Sequence, residues 1–237
     1  MRDDLVDELK LADRERWLAT LWAAAGERPA LAAVFAFDLE LERVVADAKE
    51  PLLAELRLAW WREQLAAIAG GAPPPAQPLL RALARDARRH GVDLVALSGI
   101  EDALLPLLGE GAVDLVEIAL ARGARLGGAI CAVGGHPPST ASEAAAARVC
   151  FARFARRAWG QAASRVEAGL EAWRATAVGT FLSSEGQLPR VLAGLDTVAR
   201  QDLARLRKGQ PLAPVAGLRR QVAIGRAALG LSFAALG

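Results

Sequence analysis

Two sets of charged residues have helical spacing and could act together. Asp38 and Glu42 lie four residues apart, so on a helix their carboxylates share a face, where two like charges repel unless something cationic bridges them. Asp47 follows further along the same segment. Arg153 stands three residues before Arg156 and four before Arg157, which puts its guanidinium on a face with both. Three guanidinium groups that close require an anion or an acidic surface opposite them. Between Glu143 and Glu167 there is no Asp or Glu, while Arg148, Arg153, Arg156, Arg157 and Arg165 fall within that stretch. The spacing therefore predicts either an anion bound by Arg153, Arg156 and Arg157, or ion pairs to carboxylates of the first 110 residues, Asp38 and Glu42 included. The competing reading of the acidic segment is a salt-bridged surface stripe of Glu40, Arg43 and Asp47.

Other reactive residue types lack the company that chemistry needs. His90 precedes Gly91 and reads as a helix C-terminal cap; His136 lies in the turn Gly134-Gly135-His136-Pro137-Pro138, and no third metal ligand stands near either. Ser183-Ser184 has no neighbouring base. Cys131 and Cys150 are too few for a disulfide framework or a metal site, which fits a reducing cytoplasm. Asp13 and Arg16 could be functional, but a helix N-cap and a surface charge explain them as well. Trp60-Trp61 could line an apolar tunnel, but packing into the core is the expected role.

The charge is unevenly divided. Residues 1–110 hold 13 Lys and Arg against 19 Asp and Glu, and residues 111–237 hold 16 against 8. This is either a scatter of solvated faces or a basic surface for a diphosphate, an anionic headgroup or an acidic partner. Lys is almost absent and no aromatic–basic motif occurs, so nucleic acid is not expected. Charges interrupt every apolar run before the roughly 18–20 residues of a membrane span. The acidic start, Met1-Arg2-Asp3-Asp4, is unlike a signal peptide.

These residues must be positioned by helices. Apolar residues recur three and four apart almost throughout, and period-two runs are missing, so no sheet is expected. Helices are predicted around Asp13–Ala25, from Pro29 through Val45, and from Pro51 to Ile68, the last closed by Gly70-Gly71. The second has an apolar stripe over more than half its circumference and should lie deep. Ala72–Pro78 reads as an extended, exposed proline-rich connector. Further helices are expected over Leu79–Arg89, Asp93–Leu108, Val113–Val133, Ala141–Ala177 with a break at Gly160, Pro189–Lys208 and Leu218–Leu236. Thr140 and Glu143 form a capping-box pattern. The clustered Gly123, Gly127, Gly128, Gly134 and Gly135 predict close approach of a neighbouring helix or ligand. One domain spanning residues 1–237 is the natural reading.

The order of segments in residues 13–68 resembles a known family. Asp13-Arg14-Glu15-Arg16-Trp17-Leu18, Arg28-Pro29-Ala30-Leu31, Phe35-Ala36-Phe37-Asp38-Leu39-Glu40-Leu41 and Glu55-Leu56-Arg57-Leu58-Ala59-Trp60-Trp61-Arg62 follow one another as in squalene/phytoene synthases. Within that family they are similar to a divergent bacterial branch related to a mitochondrial complex I assembly factor. The resemblance implies an all-α, single-domain helical bundle of the isoprenoid (terpenoid) synthase type. It also implies two acidic motifs on facing helices that hold Mg²⁺, which in turn holds a diphosphate leaving group. Here the first motif is degenerate: Glu42 can supply an acid, but Arg43 and Ala46 occupy positions where acids belong. The second is replaced by the arginines after Thr140.

The resulting expectation is a family-like bundle without catalysis, binding a partner protein or an apolar isoprenoid-like ligand, with no metal. The alternative is a Mg²⁺-dependent prenyltransferase joining two prenyl diphosphates head to head. It would use Asp38, Glu42 and Asp47 with the metal, and Arg153, Arg156 and Arg157 on the diphosphate. A third reading is peripheral contact with the inner membrane face through the basic C-terminal half.

Overall fold

Asp13 ends one helix and begins the next. Its backbone N–H donates to the Leu9 carbonyl at 2.7 Å, while its side chain accepts from the Arg16 N–H at 3.1 Å. This turns α1 (Asp3–Ala12) into α2 (Arg14–Thr20). The sequence reading anticipated the cap and missed the helix before it. The computed structural model describes residues 3–176 and 186–230. Ser183, Ser184 and the end of the last predicted helix lie outside those residues.

Every regular element among the described residues is helical, so the fold is all-α. Pro29 and Pro51 sit in the first turns of α3 (Arg28–Ala46) and α4 (Pro51–Ala69), where a missing N–H leaves no bond unmade. Residues 72–77 then run extended, largely at the surface, to Pro78, which opens α5 (Pro78–Ala82). One π turn and one 3₁₀ turn continue it to His90. The helix expected over 93–108 is instead two short ones, α6 (Leu94–Ser98) and α7 (Ile100–Leu104), separated at Gly99. The chain continues through α8 (Leu115–Val133), α9 (Thr140–Phe154), α10 (Ala163–Ala175), α11 (Arg190–Arg207) and α12 (Leu218–Ala228).

Helix α3 is the centre of the fold, as its wide apolar stripe predicts. Leu31, Val34, Phe35, Phe37, Leu41, Val44 and Val45 are buried along it, and α1, α2, α4, α5, α7 and α8 pack around it. Each such large side chain removed from water contributes on the order of 1.5–3 kcal/mol. Trp61 enters this core edge-on to Phe37, with ring centroids 5.8 Å apart, whereas Trp60 faces outward. The interior is closed further by the fully buried Phe151 and Phe154 of α9.

The glycines of α8 mark its approach to α9. A Cβ on Gly123 would lie 2.4 Å from the Ala147 nitrogen, and one on Gly127 would lie 2.9 Å from the Ser142 carbonyl oxygen. Only hydrogen fits at these two positions, so the two helices meet backbone to backbone. Helix α9 is started by a capping box of Ser139 and Ser142, one residue ahead of the Thr140–Glu143 pattern. Beyond α9, Gly160 adopts a φ of 49°, and a Cβ there would lie 2.1 Å from the Ala46 carbonyl oxygen at the end of α3. Among the described residues no helix is long and apolar enough to cross a membrane.

Candidate functional site

Helix α3 turns Asp38 and Glu42 inward, and both are completely buried. Two isolated ionised carboxylates in that position would cost many kcal/mol, so the question is what compensates them. Three other helices answer with arginines. From α8, Arg122 donates Nε to Asp38 Oδ1 at 2.6 Å and Nη2 to Asp38 Oδ2 at 2.7 Å, and its Nη2 also reaches Glu42. From α2, Arg16 donates Nη2 to Asp38 Oδ2 at 2.6 Å. From α9, Arg153 donates Nε to Glu42 Oε1 at 2.6 Å, and its two terminal nitrogens reach Glu42 and Asp13. Arg157 stands 3.9 Å from Glu42 Oε2.

All four carboxylate oxygens of Asp38 and Glu42 therefore face guanidinium groups. Burial by itself would raise both carboxyls, but the facing arginines outweigh it. Arg122 and Arg16 hold Asp38 below its ordinary range, and Arg153 and Arg122 hold Glu42 well below its own. The reciprocal effect appears on Arg122 and Arg153: burial disfavours their charge, and the buried acids more than offset it. The pair is ionised and bridged by protein cations.

A second cluster adjoins the first. Arg156 grips Asp202 of α11 through Nε at 2.5 Å and Nη2 at 2.6 Å. Arg220 of α12 holds the same carboxylate at 2.6 and 3.1 Å, and donates Nε to Glu15 of α2. Helices α2, α3, α8, α9, α11 and α12 are thus tied by two adjoining sets of charge-assisted bonds, with α2 contributing to both.

Of the residues singled out from sequence, the structure brings together Asp38, Glu42 and Arg153, with Arg157 at the edge. Asp47 is exposed at the C-terminal end of α3 and does not join them. It lies on the outer side with Arg43 and Glu40, whose 3.9 Å contact fits the surface-stripe reading for that part of the segment. Arg156 pairs with Asp202, not with an acid of the first 110 residues. Arg16, read as a surface charge, is 1% exposed and belongs to the site. Arg122 was missed. Its signal was a charged residue set among Ile118, Ala119, Leu126 and Ile130, all on the buried face of α8. His90 does not cap its own helix; its Nε2 lies 3.2 Å from the Gly26 carbonyl across the α2–α3 turn. His136 is exposed.

Chemically this arrangement holds charge and leaves little to react. Cys131 and Cys150 are free and buried, and burial pushes the Cys150 thiol up to about 11, so it stays protonated at neutral pH. The pocket against the network, bounded by Asp13, Arg16, Arg153, Arg156, Asp202 and Arg220 among others, measures about 30 Å³. That is room for one or two waters, against roughly 300–1,000 Å³ for a small-molecule site.

Residues 9–104 match the squalene/phytoene synthase family. No curated protein and no solved structure matches the chain. An all-α bundle of the isoprenoid-synthase type is the fold of that family, and the helical architecture agrees with it. The synthase-like stretch carries Arg16, Asp38 and Glu42, and ends before Arg122 and Arg153.

Mg²⁺, which squalene/phytoene synthases imply, does not fit the residues present. A dication needs free carboxylate lone pairs, and here those of Asp38 and Glu42 accept from arginines. The orphaned polar atoms are of the wrong kind as well: Arg16 Nη1 and Arg122 Nη1 are buried N–H donors without an acceptor. Among the described residues no cluster of three His, Cys, Asp or Glu side chains could hold a metal.

Proposed function

We propose that this chain is a squalene/phytoene synthase-like protein in which ion pairs have taken the place of the metal clamp, and that it binds instead of catalysing. The observation that carries this reading is the engagement of every Asp38 and Glu42 oxygen by Arg16, Arg122, Arg153 and Arg157. Ionising an allylic diphosphate requires its developing negative charge to be neutralised by something able to reach it. Arginines already committed to buried acids are not free for that role. The head-to-head prenyltransferase reading would have to break these pairs first.

A partner protein is the occupant favoured by the interior. The site's pocket is too small for prenyl chains, and Phe35, Phe37, Trp61 and Phe151 fill the surrounding core. The resemblance to a branch related to a complex I assembly factor supports a scaffold role by analogy alone. One observation favours the apolar-ligand reading: a groove of about 330 Å³ bounded by Trp22, Leu31, Ile130, Val191 and Arg190. A cytoplasmic setting accords with two free buried cysteines.

The test is incubation of the purified protein with farnesyl or geranylgeranyl diphosphate and Mg²⁺, followed by assay of released pyrophosphate. The expected result is no release above the protein-free control. Turnover that Glu42→Gln abolishes would overturn the proposal and restore the transferase reading.

A further inference from the structure

Helix α12 is held by one side and shows apolar residues on the other. Arg220 reaches inward to Asp202 at 2.6 Å, and a Cβ on Gly225 would lie 2.7 Å from the ring of Trp22, just beyond α2. Ala223, Ile224 and Ala228 are buried as well, so the roll of the helix is fixed. At about 100° per residue, Leu218, Val222 and Leu229 fall within roughly 40° of one another on the side away from the core. They are 74%, 48% and 54% exposed. Arg219 stands beside them and is also exposed.

The charges around this strip say what it faces. Helix α12 packs on α11 and α2. The three helices hold three acids, and arginines engage each one. Arg220 takes Glu15, Arg148 and Arg200 take Asp196, and Arg156 and Arg220 take Asp202. The exposed charges of these helices are all basic, Arg14, Arg190, Arg205 and Arg219 among them, with Lys208 following α11. No acid occurs in the chain after Asp202. An apolar strip among cations suits a surface that is anionic and apolar within one plane, which is the interface of a membrane containing anionic lipid. A second copy docked through the same face would set arginine against arginine. An acidic protein patch would answer the arginines and leave the leucines in a polar setting. The exposed leucines of α4, Leu52, Leu53 and Leu56, lie instead beside the exposed Glu55 and Glu63, which an anionic membrane would repel. We propose that α12 is a peripheral membrane contact that lays Leu218, Val222 and Leu229 into the headgroup region of an anionic bilayer.

Cosedimentation of the purified full chain with lipid vesicles tests it. The expected result is pelleting with phosphatidylcholine/phosphatidylglycerol vesicles, little with phosphatidylcholine alone, and release as salt is raised to about 0.5 M. Leu218→Glu should abolish binding with an unchanged circular dichroism spectrum, and Arg219→Glu should weaken it about tenfold or more. Leu56→Glu, on the exposed strip of α4, should leave it unchanged. A chain that stays in the supernatant with phosphatidylglycerol present would overturn the proposal. So would equal binding to phosphatidylcholine alone, binding indifferent to Leu218→Glu, or binding lost in Leu56→Glu. A chain that ignores vesicles but binds polyglutamate, and loses that binding in Arg219→Glu, would overturn it in favour of an acidic protein surface.

Discussion

Arg153 on α9 and Glu42 on α3, 111 residues apart in the chain, form a two-pronged ion pair closed by an Nε–Oε1 hydrogen bond of 2.6 Å. The pair joins the synthase-like stretch to the part of the chain beyond it. Removing either partner leaves the other charge buried, which costs about 3–5 kcal/mol in comparable sites. Arg153→Ala and Glu42→Ala should each destabilise by up to that amount in urea unfolding. The double variant should lose less than the two single losses together, by about 1–3 kcal/mol. Additive losses would mean that the two residues are not coupled.

Arg122 touches both acids and is completely buried, so Arg122→Met should be the most damaging single change in the network. Asp47→Ala, at an exposed position, should alter stability by less than about 0.5 kcal/mol. Comparable losses at Asp47 and Asp38 in thermal melts would argue against the exclusion of Asp47 from the site.

The network also fixes the direction of the acid response. Arginines hold the folded-state carboxyls of Asp38 and Glu42 below their ordinary range, so near pH 4 the unfolded chain binds more protons than the folded one. Their contribution is fully present above the unfolded carboxylate values, about 4, and is lost as pH falls through the folded ones. Glu40 and Glu101 oppose this slightly just above that range, because burial raises their folded-state carboxyls despite nearby arginines. Melting temperature should therefore fall steeply below about pH 4. The fall should be shallower in the double variant Asp38→Asn/Glu42→Gln.

How much of this could be read from the sequence depended on range. Boundaries set by local chemistry were legible: Pro29, Pro51, Gly70 and the Asp13 cap each act within one turn. The break at Gly99 was not, because Arg125 of α8 packs where a side chain would stand. The Thr140–Glu143 pattern placed the cap of α9 one residue late, since Ser139 and Ser142 form the box. For the site, helical spacing showed that Asp38 with Glu42 and Arg153 with its neighbours each needed an opposite charge. Spacing is silent about which distant helix supplies it, so Arg122, Arg16 and Asp202 came only with the fold.

The glycine contacts give a paired prediction. Gly123→Ala would drive a methyl group into the backbone of α9 and should cost about 1–3 kcal/mol or more. Gly128, on the same helix, has open space around the added carbon, so Gly128→Ala should stabilise by up to about 1 kcal/mol. Thermal melts of the two variants shifted in the same direction would contradict the packing of α8 on α9.

The most direct test of the central claim, that arginines occupy the carboxylates a metal would need, is a titration of the purified protein with Mg²⁺, with and without inorganic pyrophosphate, read by melting temperature. A ligand present at 100 times its dissociation constant stabilises by about 2.7 kcal/mol, which shifts a melt by several degrees. The account predicts no saturable shift with Mg²⁺ under either condition. A saturable rise that disappears in Glu42→Gln would contradict it.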